Sequence, residues 1–394
     1  YASRGLGDVY KRQPEPCRGP GRPPHERSPP HARDAAAVGR VRASTGWDLR
    51  AVPPPRPDGP EEGKGAIDRV GAIDCLLAKV SVLRDVPAQF HEPWARVYTE
   101  VQDSLIVALD DGEERELERC IKWYLCVHQI LLRLDRGHRG GDRAMRAIHR
   151  RFMEWEAGEC GKLVKDWRRD TERCSAIDRP TRTEAQTIQY AVRLVEDGAV
   201  AKAMRILESE GLGDISEQAI SDQMEGKHPQ NRRDWDHDLT GVERVELPNV
   251  GKALTKLRRH AGTGVDQFPF EFLFRIMRGV MPPEVREDAL KSMTTLGNRV
   301  LNCDLPGWFY VLWTTPLLFA PWKNKATRDA RPVACGGARR RFNGRWHALS
   351  HVSVIRRDAE PVQLGSATPA GVQAMGVALQ IHHSTWARPA GDTV

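Results

Sequence analysis

The chain has 394 residues, 40% of them hydrophobic, enough for two or three domains with at least one sizeable core, which excludes a wholly disordered chain. The formal net charge is +7 and is unevenly placed: residues 323–394 carry 11 Lys and Arg against 4 Asp and Glu, residues 1–64 carry 12 against 8, and the stretch between them 37 against 41. A basic end favours polyanionic partners through counterion release, although a solvated basic surface gives the same count, so charge alone does not decide.

Residues 1–13 resemble a translated sequencing-library adaptor and are set aside from fold reasoning. With no Met at position 1 and an abrupt end at Val394, the chain is expected to be a piece of a longer reading frame. Residues 14–64, rich in Pro, Arg and Gly and without apolar periodicity, are expected to form a disordered tail. Within them Gly59-Pro60-Glu61-Glu62-Gly63-Lys64 mimics a phosphate loop. It is one residue short between its glycines, and Gly65 stands where Ser or Thr is needed, so nucleotide binding is not assigned there.

Residues 65–212 read as a helical extension. Trp94, Val97, Tyr98, Val101, Leu105 and Ala108 make one stripe at helical spacing, with Pro93 in the first turn. Leu117, Cys120, Ile121, Tyr124, His128 and Leu131 make the next, where His128 reads as a core histidine. A third helix carries Met145, Ile148, Phe152 and Trp155 and is expected to run on toward Trp167. Ile188, Ala191, Val192 and Val195, then Asp197-Gly198, then Val200, Ala203, Met204 and Leu207 predict a helical hairpin closed by Gly211. No further copy recurs at a fixed period, so a solenoid is not supported. The eight cysteines lack any Cys-x-x-Cys pair and read as reduced thiols of an intracellular protein.

Residues 213–245 read as a polar linker. Asp234-Trp235-Asp236-His237-Asp238 alternates like a calcium loop, but Leu239 and Val245 occupy the positions that need Gly and Glu. A helix over 250–259, a turn at Gly264-Val265-Asp266 and an apolar helix over 270–277 follow. The apolar run 308–320 is short and interrupted by Pro316, so no transmembrane segment is expected.

The chemistry is concentrated after residue 315. Thr315-Pro316-Leu317-Leu318-Phe319-Ala320-Pro321-Trp322 reads as an apolar strand, Lys323-Asn324-Lys325 as a basic turn, and Arg331-Pro332-Val333 as the start of a return strand. Pro332 fixes its own backbone and holds Arg331 extended, aiming the guanidinium across the sheet. Fixed cations on such a ribbon suit a triphosphate or a nucleic-acid backbone. An ordinary edge hairpin also carries lysines, which prevent edge-to-edge pairing.

The order of these elements resembles the reverse transcriptase of non-LTR retrotransposons. The match rests on Gly264-Val265-Asp266, Trp322-Lys323, Arg331-Pro332-Val333, the arginines from 339 to 345, and Gln363-Leu364-Gly365 leading to Gly371-Val372-Gln373. Upstream, Arg139-Gly140-Gly141, the hairpin at 184–211 and His228-Pro229 extend the resemblance to about residue 75. It implies an α+β, predominantly helical chain: a helical N-terminal extension, then over 246–394 a partial right-hand polymerase comprising the fingers and the start of the palm.

By the same resemblance Lys323, Lys325 and Arg331 face the incoming nucleotide or template, Arg339 lies near the template strand, and Gln363 and Gly365 lie at the template-side surface. RNA template and DNA primer are the implied partners, in a nuclear or cytoplasmic ribonucleoprotein. Two departures matter. Gln267 stands where the family has a second glycine, and the palm aspartates that bind two Mg2+ in the family have no counterpart, so no catalytic or metal residue is assigned and the chain is expected to be inactive. The rival reading is a helical RNA-binding or protein-interaction module without polymerase activity.

Overall fold

The computed structural model describes residues 52–57, 59–135, 141–175, 183–227, 244, 246–257 and 259–359. After a 3-10 segment, Gly63–Arg69, the helices are α1 (Ala72–Leu77), α2 (His91–Asp111), α3 (Glu114–Leu131), α4 (Asp142–Glu156), α5 (Cys160–Ser175), α6 (Glu184–Glu196), α7 (Val200–Leu207), α8 (Gln218–Lys227), α9 (Gly251–Leu254), α10 (Phe270–Arg278), α11 (Pro283–Leu301) and α12 (Gly307–Thr314). Four short strands follow, β1 (Leu317–Phe319), β2 (Trp322–Asn324), β3 (Asp329–Ala330) and β4 (Val333–Cys335), then α13 (Ala338–Ser350) and α14 (Val352–Ala359). The described chain is therefore predominantly helical. No helix among the described residues is long and apolar enough to cross a membrane.

Helix α3 is the axis of the core. Its N-terminus is capped by Glu113, whose carboxylate accepts from the Glu116 amide at 2.8 Å. A single apolar stripe is expected for it, yet every residue from 120 to 131 is buried. The 3-10 segment and helices α1, α2, α4 and α5 pack around it. Its polar residues are paired accordingly: Lys122 meets Glu118 at 2.6 Å and the Asp68 carbonyl at 3.2 Å. Arg119 meets Asp68 at 2.8 Å. Burial acts to raise the Asp68 carboxyl, but Arg119 and Arg115 prevail and hold it below the usual range.

Three sequence expectations are corrected here. The helix beginning at Asp142 does not run on to Trp167, because Gly158 takes a left-handed φ of 75° and a new helix starts at Cys160. The tail expected over 14–64 has an ordered end: Val52 is buried, and Arg56 reaches Glu118 at 2.7 Å. The helix expected over 250–259 is short, ending at Leu254.

Residues of the 65–212 stretch and of the 246–394 stretch pack together in one cluster. One apolar core runs from Val52 to Trp346. Trp94 donates to the Phe272 carbonyl at 3.3 Å, and its ring lies 5.4 Å from that of Phe272. Helix α11, started by Pro283 and not foreseen from the sequence, lays Ala289, Leu290, Met293, Leu296 and Val300 into this core beside α2. Two small satellites lie outside it, one between α6 and α7 and one under the strands.

Candidate nucleic-acid interface

An antiparallel ribbon is present, but Lys323 and Asn324 lie in strand β2, so the turn runs over 325–328 rather than 323–325, and the return strand opens at Asp329 rather than at Arg331. Leu317 pairs with Cys335, Leu318 with Ala334 and Phe319 with Val333, while further out Trp322 pairs with Ala330 and Asn324 with Asp329. The two ladders are one bent hairpin, joined where the Arg331 amide donates to the Pro321 carbonyl at 2.9 Å. The register shifts between Trp322 and Asn324, so Lys323 occupies an irregularity, a feature that re-aims a side chain.

Helix α8, which lies inside the segment read as a linker, holds one side of this hairpin. Ile220 and Met224 pack on Ala320, Ala330, Leu318 and Trp322. Gln223 accepts from the Ala330 amide at 3.2 Å and donates to the Arg328 carbonyl at 3.1 Å, while Lys227 donates to the Ala330 carbonyl at 2.7 Å. The chain just before α8 closes the edge: Gly213 donates to the Ala320 carbonyl at 2.8 Å, and Glu210 accepts from the Lys325 amide at 2.7 Å.

Lys323, Lys325 and Arg331 are all exposed on this braced ribbon. Lys323 and Arg331 each follow a residue packed against or beside α8, Trp322 and Ala330, and turn outward. Lys323 lies 3.5 Å from Asp329, whose carboxyl is held below its usual range by Lys227 first and by Lys323 in addition. Arg328, not singled out from the sequence, sits on the same turn and pairs with Glu217.

Arg339 does not belong to this surface. It is 2% exposed, and its guanidinium contacts Asp266 at 3.1 Å, the Leu125 carbonyl at 3.3 Å and the Tyr124 carbonyl. It stacks 4.5 Å from the Tyr124 ring and 4.8 Å from that of Phe268. In this conformation it is a core cation rather than a template contact. Among its neighbours, Arg340 donates to the Thr314 carbonyl at 2.8 Å and remains exposed, and Arg341 lies over Phe270 and donates to the Gly262 carbonyl. Arg345 is also exposed. Gln363 and Gly365 lie outside the described residues.

The Gly264-Val265-Asp266 turn is the anchor for α13. A Cβ on Gly264 would stand 2.4 Å from the Gly337 Cα, so only glycine lets the two backbones meet. Asp266 receives Arg339 through its carboxylate, while its carbonyl accepts from His128 at 2.8 Å and from Gln129 at 3.2 Å. Gln267, where the resembled family has glycine, adopts a left-handed φ of 57°, and its side chain donates to the Ala78 carbonyl at 2.7 Å. The turn thus keeps a glycine-type backbone without glycine.

Among the described residues no group of three or more His, Cys, Asp and Glu side chains is arranged to hold a metal ion. Comparison of the chain with family models, with curated proteins and with solved structures gives no match.

Proposed function

We propose that the bent hairpin grips the phosphates of an RNA strand. On this reading the chain is the fingers side of an RNA-directed DNA polymerase of the non-LTR retrotransposon kind, with RNA template and DNA primer as partners. The observation that carries it is the exposure of Lys323, Lys325 and Arg331 on one antiparallel ribbon braced from the side by α8. A flexible loop would lose ordering entropy on gripping a backbone, whereas cations fixed on paired strands lose less.

The test is RNA binding by fluorescence anisotropy across a salt series. Exposed cations contribute little to folding. Lys323→Ala/Lys325→Ala and Arg331→Ala are therefore expected to stay folded, bind RNA more weakly, and lower the slope of log affinity against log salt by about 1 per lost phosphate contact. An unchanged slope would sink the phosphate role. The polymerase reading further expects a recessed RNA–DNA primer–template to bind more tightly than a blunt duplex. It also expects no primer extension with Mg2+ and nucleotides. Equal binding to both duplexes would favour the plain RNA-binding module.

A further inference from the structure

The hairpin of α6 and α7 is built from one eight-residue pattern used twice. Ile188, Ala191, Val192, Leu194 and Val195 are matched twelve residues later by Val200, Ala203, Met204, Ile206 and Leu207, and Arg193 is matched by Arg205. In each copy the second and fourth of these apolar positions turn inward: Ala191, Leu194 and Ala203 form the small buried core, with Ile206 packed against it. The other three in each helix, at i, i+4 and i+7, are left outside. Ile188, Val192, Val195, Val200, Met204 and Leu207 are each 49–52% exposed. Spacing of 4 then 3 is the knob spacing of helix bundles, and in an antiparallel pair both stripes fall on one face.

The opposite side attaches the hairpin to the body. Tyr190 lies under the Arg84 guanidinium at 5.6 Å and meets its Nη1 at 3.2 Å, and Lys202, again twelve residues on, donates to the His260 carbonyl. Both anchors sit roughly 160° round their helices from the stripe, so the stripe points away from the rest of the described chain.

We propose that this outward face docks on the same face of a second copy of the chain, making a two-fold four-helix bundle. Three features select a second copy over another occupant. Both helices present the same apolar i, i+4, i+7 triad, so an identical hairpin offers a face of equal chemistry for the same patch to meet itself, as an isologous contact requires. The exposed surface of the hairpin as a whole carries both charge signs, Glu184, Glu196 and Glu208 with Arg193 and Arg205, which favours neither a basic nor an acidic partner. Six half-exposed side chains amount to on the order of 500 Å² per copy, hence about 1,000 Å² across a pair, the size at which specific interfaces begin.

The experiment is light scattering or sedimentation on the full chain, nuclease-treated and reduced, in about 0.5 M NaCl to suppress nucleic-acid bridging and charge contacts. Wild-type protein is expected to reach twice the 44.3 kDa chain mass as concentration rises. Val192→Glu/Met204→Glu is expected to stay at 44.3 kDa with an unchanged far-ultraviolet spectrum, since neither side chain is buried in the single chain. A wild-type monomer at about 50 µM, or a dimer that survives the double substitution, would overturn the proposal. If the variant lost its helical signal, hydrogen exchange on wild-type protein would decide instead. Amides of 184–207 protected only in concentrated samples support the contact, and concentration-independent exchange overturns it.

Discussion

At the scale of single residues, the charge on Arg339 illustrates why a basic count is a poor map of a binding surface. Its guanidinium is neutralised by Asp266, bonded to two helix carbonyls and sandwiched by aromatic rings, so removing it strands a buried carboxylate. Arg339→Ala is expected to cost about 3–5 kcal/mol in urea unfolding, and Arg339→Lys is not expected to restore it, because an ammonium reproduces neither the fork nor the stack. Lys323→Ala/Lys325→Ala should do the reverse, altering affinity and leaving the urea midpoint in place. Gly264→Ala forces the Gly337 backbone to move and is expected to destabilise by about 1–3 kcal/mol.

His128 lies within the same cluster. Burial, reinforced by Arg339, pushes its pKa well below the ordinary value. In the unfolded chain it takes up a proton near pH 6.5, while the folded chain keeps it neutral. The unfolded state therefore binds more protons on the acid side, and this part of the stability is complete above about pH 7 and falls as pH drops below about 6.5. Burial lowers His91 likewise, so both histidines act in one direction. The urea midpoint is expected to fall from pH 7.5 to pH 5, and His128→Gln should flatten that fall without abolishing it. A wild-type midpoint flat over this range would contradict the neutral buried imidazole.

At the scale of elements, the hairpin depends on a helix that its own sequence does not announce. Helix α8 has a modest apolar content, two buried anchors and a polar exterior, so its segment reads as linker until the strands supply Ala320, Ala330 and Trp322 for Ile220 and Met224 to cover. Gln223→Ala removes the partner of the Ala330 amide and of the Arg328 carbonyl. Amide exchange in 322–330 is expected to speed up while exchange in α3 stays unchanged, which hydrogen-exchange mass spectrometry would read directly. Uniform exchange across the hairpin in both proteins would show that α8 is not its brace.

Across the whole molecule, local pattern reached the right answer where one helix or one hairpin suffices to satisfy its residues. The stripe from Trp94 to Ala108 and the paired helices around Asp197-Gly198 are set by spacing, by Pro and Gly, and by contacts within a few dozen residues, and the strands of the ribbon pair locally although their brace, α8, comes from far upstream. The same stripes did not reveal their partners. Ile188 and Ala191 carry the same apolar signal, yet one is half exposed and the other buried, because only packing decides which of two adjacent faces meets a neighbour.

What the sequence by itself determined is the helical character, the hairpin and its outward lysines, since those follow from backbone preference and short-range periodicity. Tertiary structure alone decided that α1 to α5 share one core with α9 to α13 and that Gln267 takes a left-handed backbone. It also decided that Arg339 leaves solvent for Asp266, a residue 73 positions away. The reason is physical: burial and charge pairing depend on which distant groups arrive at the same place, and no local pattern encodes that arrival.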